Sequence, residues 1–403
     1  MNKPTLCLLA ALALAASAAA HAGPMSLKDM NLVKPPKTAA DTPAAQAFRK
    51  GVAALMKNKL GAARDAFRES LRLDSGYVPA MTGLADIAQR EGDRAAARKL
   101  LAQAEAANPK AADVHVAWGR LHLKARDLAA AEKSFQHAHK LQPDSTVPLL
   151  ELGSLLMTVP GRQAEAMATL ETARQIAPTN IHVLFAHGTA AALAGQHAKA
   201  LASFEQVAAT LPKDPEPLRA IGRLHLEQGD ADRALAAFDR ALKLQPQSVA
   251  LMMDRTDALA RAARWPDAVA QQRAAAKAAP KSADVQLKLG DVLQEMAQYK
   301  DARAAYLEAI RLDPKNALAH NNLAWMTLRE GGAASDAVHF ARQAVALSPG
   351  SAPFLDTLGW AERASGNLVA ADATLRKAVQ IEPNNREFKQ HRDTVLAELR
   401  GAR

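Results

Sequence analysis

Histidines and carboxylates are the side chains with which this 403-residue chain could do metal or acid–base chemistry. His137 and His139 are two residues apart. On a helix that spacing points two imidazoles to different faces, which makes a poor metal pair. His122 and His225 occupy the same place in two copies of the string Gly-Arg-Leu-His-Leu, so packing at a core edge is the expected role. The carboxylates are scattered at spacings that suit i,i+4 pairing and helix starts better than acid–base catalysis. A phosphate-binding glycine loop, a GxSxG elbow and an HExxH zinc string are all missing. Cys7 is the only cysteine. Beyond it there is no thiol for a disulfide, a thiolate metal site or a nucleophile. The sequence therefore reads as a non-enzymatic protein with no metal site and no cofactor.

Composition limits the class further. Aromatic residues make up 4% of the chain and charged residues 23%, with abundant Ala, Leu and Val. That balance suits closely packed helices and opposes global disorder. Net charge is +10, with basic and acidic residues interspersed and no long basic run. Lys3 followed by the apolar stretch Leu6 to Ala20 and by Ala20-His21-Ala22 reads as an export signal over residues 1–22. The stretch is too short and too rich in alanine for a membrane span. Cleavage would leave no transmembrane anchor and a net charge of +9, from 50 basic against 41 acidic residues. The periplasm, the cell envelope or the medium is the expected location. Residues 23–43, with Lys34-Pro35-Pro36-Lys37, read as a flexible linker.

The elements that must position any site come from a repeat. Pro109, Pro143, Pro178, Pro212, Pro246, Pro280, Pro314, Pro349 and Pro383 are separated by 34 or 35 residues. A period of this length signals stacked units. Twelve residues before each proline stands an alanine, from Ala97 to Ala371. Eight before stands mostly a large apolar residue: Leu101, Phe135, Leu170, Phe204, Phe238, Tyr306 and Leu375, with Gln272 and Ala341 as exceptions. Each unit reads as two antiparallel helices. A glycine within the first helix (Gly51, Gly119, Gly153, Gly188, Gly222, Gly290, Gly359) is expected to face the alanine of the second, with the large residue filling the seam one turn on. Gly92-Asp93, Gly229-Asp230 and Gly366-Asn367 supply a helix end and the next helix start. Proline then stops the second helix. In the first unit Ser75 replaces the proline. Thr256 and Gln272 predict a local irregularity in the seventh, and Thr158 to Gly161 and Gly331 to Ala334 each carry one extra residue.

These rows resemble the tetratricopeptide repeat family, as in Leu289-Gly290, Ala302, Tyr306, Ala309 and Pro314. The resemblance covers roughly residues 44–384, about ten units, with residues 385–403 as a polar capping helix. It implies an all-α superhelical solenoid that binds a protein or peptide partner. In the family the first helices line a concave face. That places there Arg120, Arg219 and Arg223, then Asp254, Asp257, Asp284, Asp291 and Glu295, then Asn321, Asn322, Trp325, Arg329, Asp356, Trp360 and Arg363. Trp325 and Trp360 follow the small residue of their helices, with Asn321 and Asp356 four residues earlier on the same face. This C-terminal zone is the expected peptide-docking site. Asn322 matches one place of the carboxylate clamp of some chaperone-binding members, but Leu287 and Asp291 stand where a Lys and an Asn are needed. The strings Asn321-Asn322-Leu323-Ala324-Trp325 and Asp356-Thr357-Leu358-Gly359-Trp360 look like paired repeats of bacterial envelope and exopolysaccharide systems. An acidic polysaccharide is the alternative ligand. Nucleic acid is not expected, because the export signal and the Gly/Ala/Pro rows oppose it.

Overall fold

Small residues at fixed places let helices pack in pairs, and the computed structural model shows those pairs over the described residues, 42–401. The proposed export signal and nearly all of the proposed linker lie outside them. The described residues form 21 α-helices and no strand. They divide into two units, residues 42–227 and 228–401.

The first unit pairs α1 (Pro43–Met56) with α2 (Leu60–Leu73), α3 (Val78–Arg90) with α4 (Arg94–Ala107), and α5 (Ala112–Lys124) with α6 (Leu128–Leu141). It continues with α7 (Val147–Thr158) and α8 (Gln163–Ile176), then α9 (Ile181–Leu193) and α10 (His197–Thr210), and ends on α11 (Glu216–Glu227). The second unit opens with α12 (Ala231–Leu244). It then pairs α13 (Val249–Arg261) with α14 (Trp265–Ala278), α15 (Ala283–Glu295) with α16 (Tyr299–Leu312), and α17 (Ala317–Arg329) with α18 (Ala334–Leu347). Last come α19 (Ala352–Ala364) with α20 (Leu368–Ile381), and the single helix α21 (Arg386–Gly401). Within each unit the helices stack as a solenoid.

Local chemistry sets the boundaries. Nine second helices stop two residues before their proline, because the residue preceding a proline is pushed out of the helical region. The first repeat stops at Leu73 without one, and Gly76 N–H donates to the Asp74 carboxylate at 3.0 Å in the turn. Between paired helices the chain turns through positive φ, at +85° for Gly92 and +80° for Gly366. Asp93, Asp127, Asp230 and Asn367 then accept an amide N–H of the next first turn. Arg126, Ala263 and Ala297 take the same left-handed turn without being glycine, a conformation that costs an L-residue roughly 1–2 kcal/mol.

The seam differs in one respect from the expectation. The first-helix glycine faces the large residue of the second helix, not its alanine. A Cβ on Gly51, Gly119, Gly188 or Gly290 would fall within 3.0 Å of the ring of Phe67, Phe135, Phe204 or Tyr306. On Gly153 or Gly359 it would meet Leu170 or Leu375 equally closely. The ring needs a bare backbone to lie on. The alanine row is fully buried in its own right. Where the large residue is missing, as at Ala341, the opposing place is Ala324 and two small residues meet. In the seventh repeat the backbone is continuous, so the irregularity is chemical. Thr256 and Gln272 are buried, Thr256 donates to Met252 O at 2.9 Å, and Gln272 donates to Val285 O of α15 at 2.9 Å.

Candidate functional site

Stacking brings successive first helices side by side, and a simple register links them. The residue after the small position of one helix reaches the residue two before the small position of the next. In the first unit Arg120 Nε donates to Glu151 at 2.7 Å. In the second, Lys288 pairs with Asp257, and Asn322 Nδ2 donates to Asp291 at 3.0 Å. Trp360 and His391 follow the same rule by stacking, with ring centroids 4.3 Å apart and planes 25° apart. Each of these partners is 31 residues further on, one repeat less a helical turn. The sequence placed Arg120, Asp257, Asp291, Asn322 and Trp360 on one face; their partners Glu151, Lys288 and His391, and the pairing along the face, follow from the stacking.

The arginines of the first unit are engaged at this face. Arg120 lies against Glu151, and Arg219 lies 3.7 Å from Glu216. Arg223 is half-buried and near Glu227, whose carboxyl is pushed up by burial and lowered in part by that guanidinium.

The second unit holds a polar chain centred on Asp291. Tyr306 Oη and Asn322 Nδ2 both donate to its Oδ1, at 2.9 and 3.0 Å, and Asn321 Nδ2 donates to Asn322 Oδ1 at 3.4 Å. Burial raises the Asp291 carboxyl above its ordinary range, against the pull of Lys288 and these donors. The Tyr306 hydroxyl is also pushed up, by burial first and then by the Asp291 charge. Asn321 Oδ1 ends the chain as a buried acceptor with no hydrogen bond among the described residues. One turn on, Trp325 is half-buried and its indole makes no hydrogen bond among the described residues. The register partner of Trp325 is Thr357, whose hydroxyl turns back to Pro353 O at 3.1 Å, so the ladder is interrupted here. Arg329 is exposed and lies 5.9 Å above the Tyr299 ring.

Asp356, Trp360 and Arg363, expected in an open groove, are instead engaged by α21. His391 Nδ1 lies 2.8 and 2.9 Å from the Asp356 carboxylate, and its ring stacks on Trp360. Arg363 stacks on Trp360 at 4.4 Å and donates through Nε to Glu398 at 3.0 Å. The reason is geometric: α21 begins one repeat after α19 and takes the place of the next first helix. The expected peptide zone thus separates into Asn321, Asn322, Trp325 and Arg329, which α21 does not cover, and three residues under it.

One cluster escaped the sequence reading. Glu171, His187 and Ser203 are spaced by 16 residues each. His187 Nε2 is 2.7 Å from Glu171 Oε2, and Nδ1 is 2.8 Å from Ser203 Oγ. Hydroxyl, imidazole and carboxylate in line have the composition of an acyl-transfer relay. Ser203 is only 4% exposed and His187 only 2%, so no substrate carbonyl reaches the hydroxyl. The cluster ties α8, α9 and α10 together, and burial lowers the imidazole below its ordinary range against the pull of Glu171. The same 16-residue spacing joins Gly188 to Phe204 across the seam, and it was the available signal.

Sequence profiles of the tetratricopeptide repeat match residues 54–118, 191–253 and 287–352. No curated protein sequence matches the chain. Among solved structures, yeast Tom70 is similar over 90% of this chain and 97% of its own, at 13% identity and a TM-score of 0.50. That likeness concerns the fold alone. A tetratricopeptide repeat protein from Parabacteroides merdae matches over 71% of this chain and 99% of its own, at 16% identity and a TM-score of 0.44. MamA from Desulfovibrio magneticus RS-1 matches over 40% of this chain and 92% of its own, at 26% identity and a TM-score of 0.37. No described helix is long and apolar enough to cross a membrane.

Proposed function

The chain belongs to the tetratricopeptide repeat family, and from that premise we propose that it is an exported scaffold of the periplasm or cell envelope. It holds a protein partner through an extended peptide on the first-helix face, within an envelope or exopolysaccharide assembly system. The observation that carries this reading is the interrupted ladder at the ninth repeat. There a half-buried indole without a hydrogen bond stands one turn from a buried acceptor without a donor, Asn321 Oδ1. A bound peptide supplies an apolar side chain for the ring, and its N–H groups reach the Asn321 amide once that side chain turns outward. Asn321, Asn322, Trp325 and Arg329 form the docking centre in this reading. Asp356, Trp360 and Arg363 extend it where α21 allows, and Arg120, Arg219 and Arg223 are a separate candidate contact on the first-helix face of the first unit.

An acidic polysaccharide fits less well. Arg120 and Arg219 already face carboxylates, so a polyanion must displace those partners before it is bound. Cross-linking in the envelope followed by mass spectrometry identifies the partner. Glycan and peptide pull-downs run side by side separate the two readings. Recovery of polysaccharide alone would overturn the protein reading, and an intact Met1 on envelope-fraction protein would overturn export.

A further inference from the structure

The last helix meets the tenth repeat through two kinds of contact. Phe388 packs with Ala352, Leu355 and Ala378, and Val395 packs with Ala371 and Leu375, which fixes α21 as a cap. On the first-helix face the contacts are charged. His391 bridges to Asp356, which is 6% exposed, and covers Trp360, while Glu398 holds Arg363. The apolar contacts do not titrate between mild acid and mild alkali, whereas the imidazole does.

We propose that α21 is a proton-controlled latch: protonated His391 holds the helix against Asp356 and Trp360, and neutral His391 loosens it from the first-helix face of the tenth repeat. A cationic imidazole makes an ion pair with Asp356 and a cation–π contact with the Trp360 ring, and the neutral ring keeps only one hydrogen bond and the stack. The charges around it agree. Asp356 on α19 and Glu387 on α21 favour the proton, and Arg363 on α19 opposes it. Asp372 on α20 is taken up by Arg392 and Arg376 beside it. The hydrogen bond to Asp356 and its charge raise His391 above 6.5, against burial.

The sign follows. A histidine raised in the folded state contributes docking stability that is fully present below its unfolded pKa of 6.5 and lost as pH rises through the folded value. Asp356, itself raised from 3.8 by burial, sets the acid limit, because protonating it removes the ion pair. The latch is tightest between these two titrations. That its opening uncovers Asp356, Trp360 and Arg363 for a partner rests on the reading of this face as a docking surface; the latch itself does not.

Native-state hydrogen exchange of the full chain, corrected for intrinsic exchange, tests it at about pH 5.5 and about pH 8, on either side of the ordinary histidine range. Peptides from residues 386–401 should open roughly tenfold more often at the higher pH, the scale of one charge-assisted hydrogen bond, while α15 and α16 stay unchanged. His391→Gln keeps a hydrogen-bond donor but takes no proton, and should abolish the dependence. Equal protection of α21 at both pH values, or a dependence that survives in His391→Gln, would overturn the latch. Should that variant lose α21 altogether, the imidazole of the unmodified chain is followed directly by NMR. A midpoint above 6.5 supports the proposal and one at or below it overturns it. A pH-dependent α21 with no effect on partner binding would count against the docking surface alone.

Discussion

Trp118 in the first unit and Trp325 in the second sit in first helices only two places apart in register, and their surroundings differ completely. Trp118 precedes Gly119. Its Nε1 donates to Glu105 of α4 at 3.0 Å, and its ring stacks on His122 at 5.7 Å. Trp325 follows Ala324 and has neither contact. The place before the small residue turns an aromatic toward the preceding second helix, and the place after it turns an aromatic toward the ladder face. Trp360 shares the place of Trp325 but lies under α21. An aromatic in a first helix is therefore no sign of a ligand by itself; its register against the small residue, and the presence of a roof, decide.

The comparison breaks most visibly at the seam that sets the register. Phe135→Ala should cost about 3–5 kcal/mol, since a fully buried ring on Gly119 leaves a cavity. Denaturant unfolding measures it, with the loss expected first in α5 and α6. Gly359→Ala tests the equivalent seam beside Trp360 and should cost about 1–3 kcal/mol through overpacking against Leu375. An unchanged melting curve for either variant would refute the seam. Trp118→Ala should cost about 2–3 kcal/mol, and Trp325→Ala about 1 kcal/mol or less, because only the first removes packing and a hydrogen bond together.

The two units should also answer pH in opposite directions. Burial lowers His187 in the folded first unit. Its contribution is present above 6.5 and is lost as pH falls below it. His391 is raised and behaves in reverse. After correction for intrinsic exchange, opening of α9 should therefore become rarer, and opening of α21 more frequent, as pH rises from about 5.5 to about 8 across the histidine range.

The smallest effect concerns the turns. Ala263→Gly and Ala297→Gly should each stabilise the second unit by up to about 1 kcal/mol, because both residues hold φ of +55°. Arg126→Gly should do the same in the first unit, and thermal unfolding measures all three.

The repeat itself was legible because its constraints are local. Proline stops, glycine turns and side-chain caps act within a few residues, and the helices fall where these signals put them. The partners of the glycines were not legible in the same way. Alanine and phenylalanine rows both fit a close crossing, and only the 16-residue spacing selects the ring. The ladder face was half legible. The sequence placed Asp291, Asn322 and Trp360 on one face, but pairing between repeats depends on how helices stack. The engagement of Asp356 and Arg363 depends on α21 taking the next helix place, which its polar composition disguised as a simple solvent-facing cap. Glu171, His187 and Ser203 were hidden because each residue is unremarkable in its own helix.

The most direct test of the docking centre is the affinity of the partner recovered by envelope cross-linking for two variants compared with the unmodified chain. Trp325→Ala should weaken binding roughly 5- to 150-fold, the range of a 1–3 kcal/mol hot spot, with helical content unchanged. Trp118→Phe, which keeps an aromatic ring but loses the indole N–H and part of the packing, should bind within about twofold of the unmodified chain, because it lies outside the proposed docking centre. Normal binding by Trp325→Ala, or an equal loss in Trp118→Phe, would contradict the assignment of the ninth-repeat face as the docking centre.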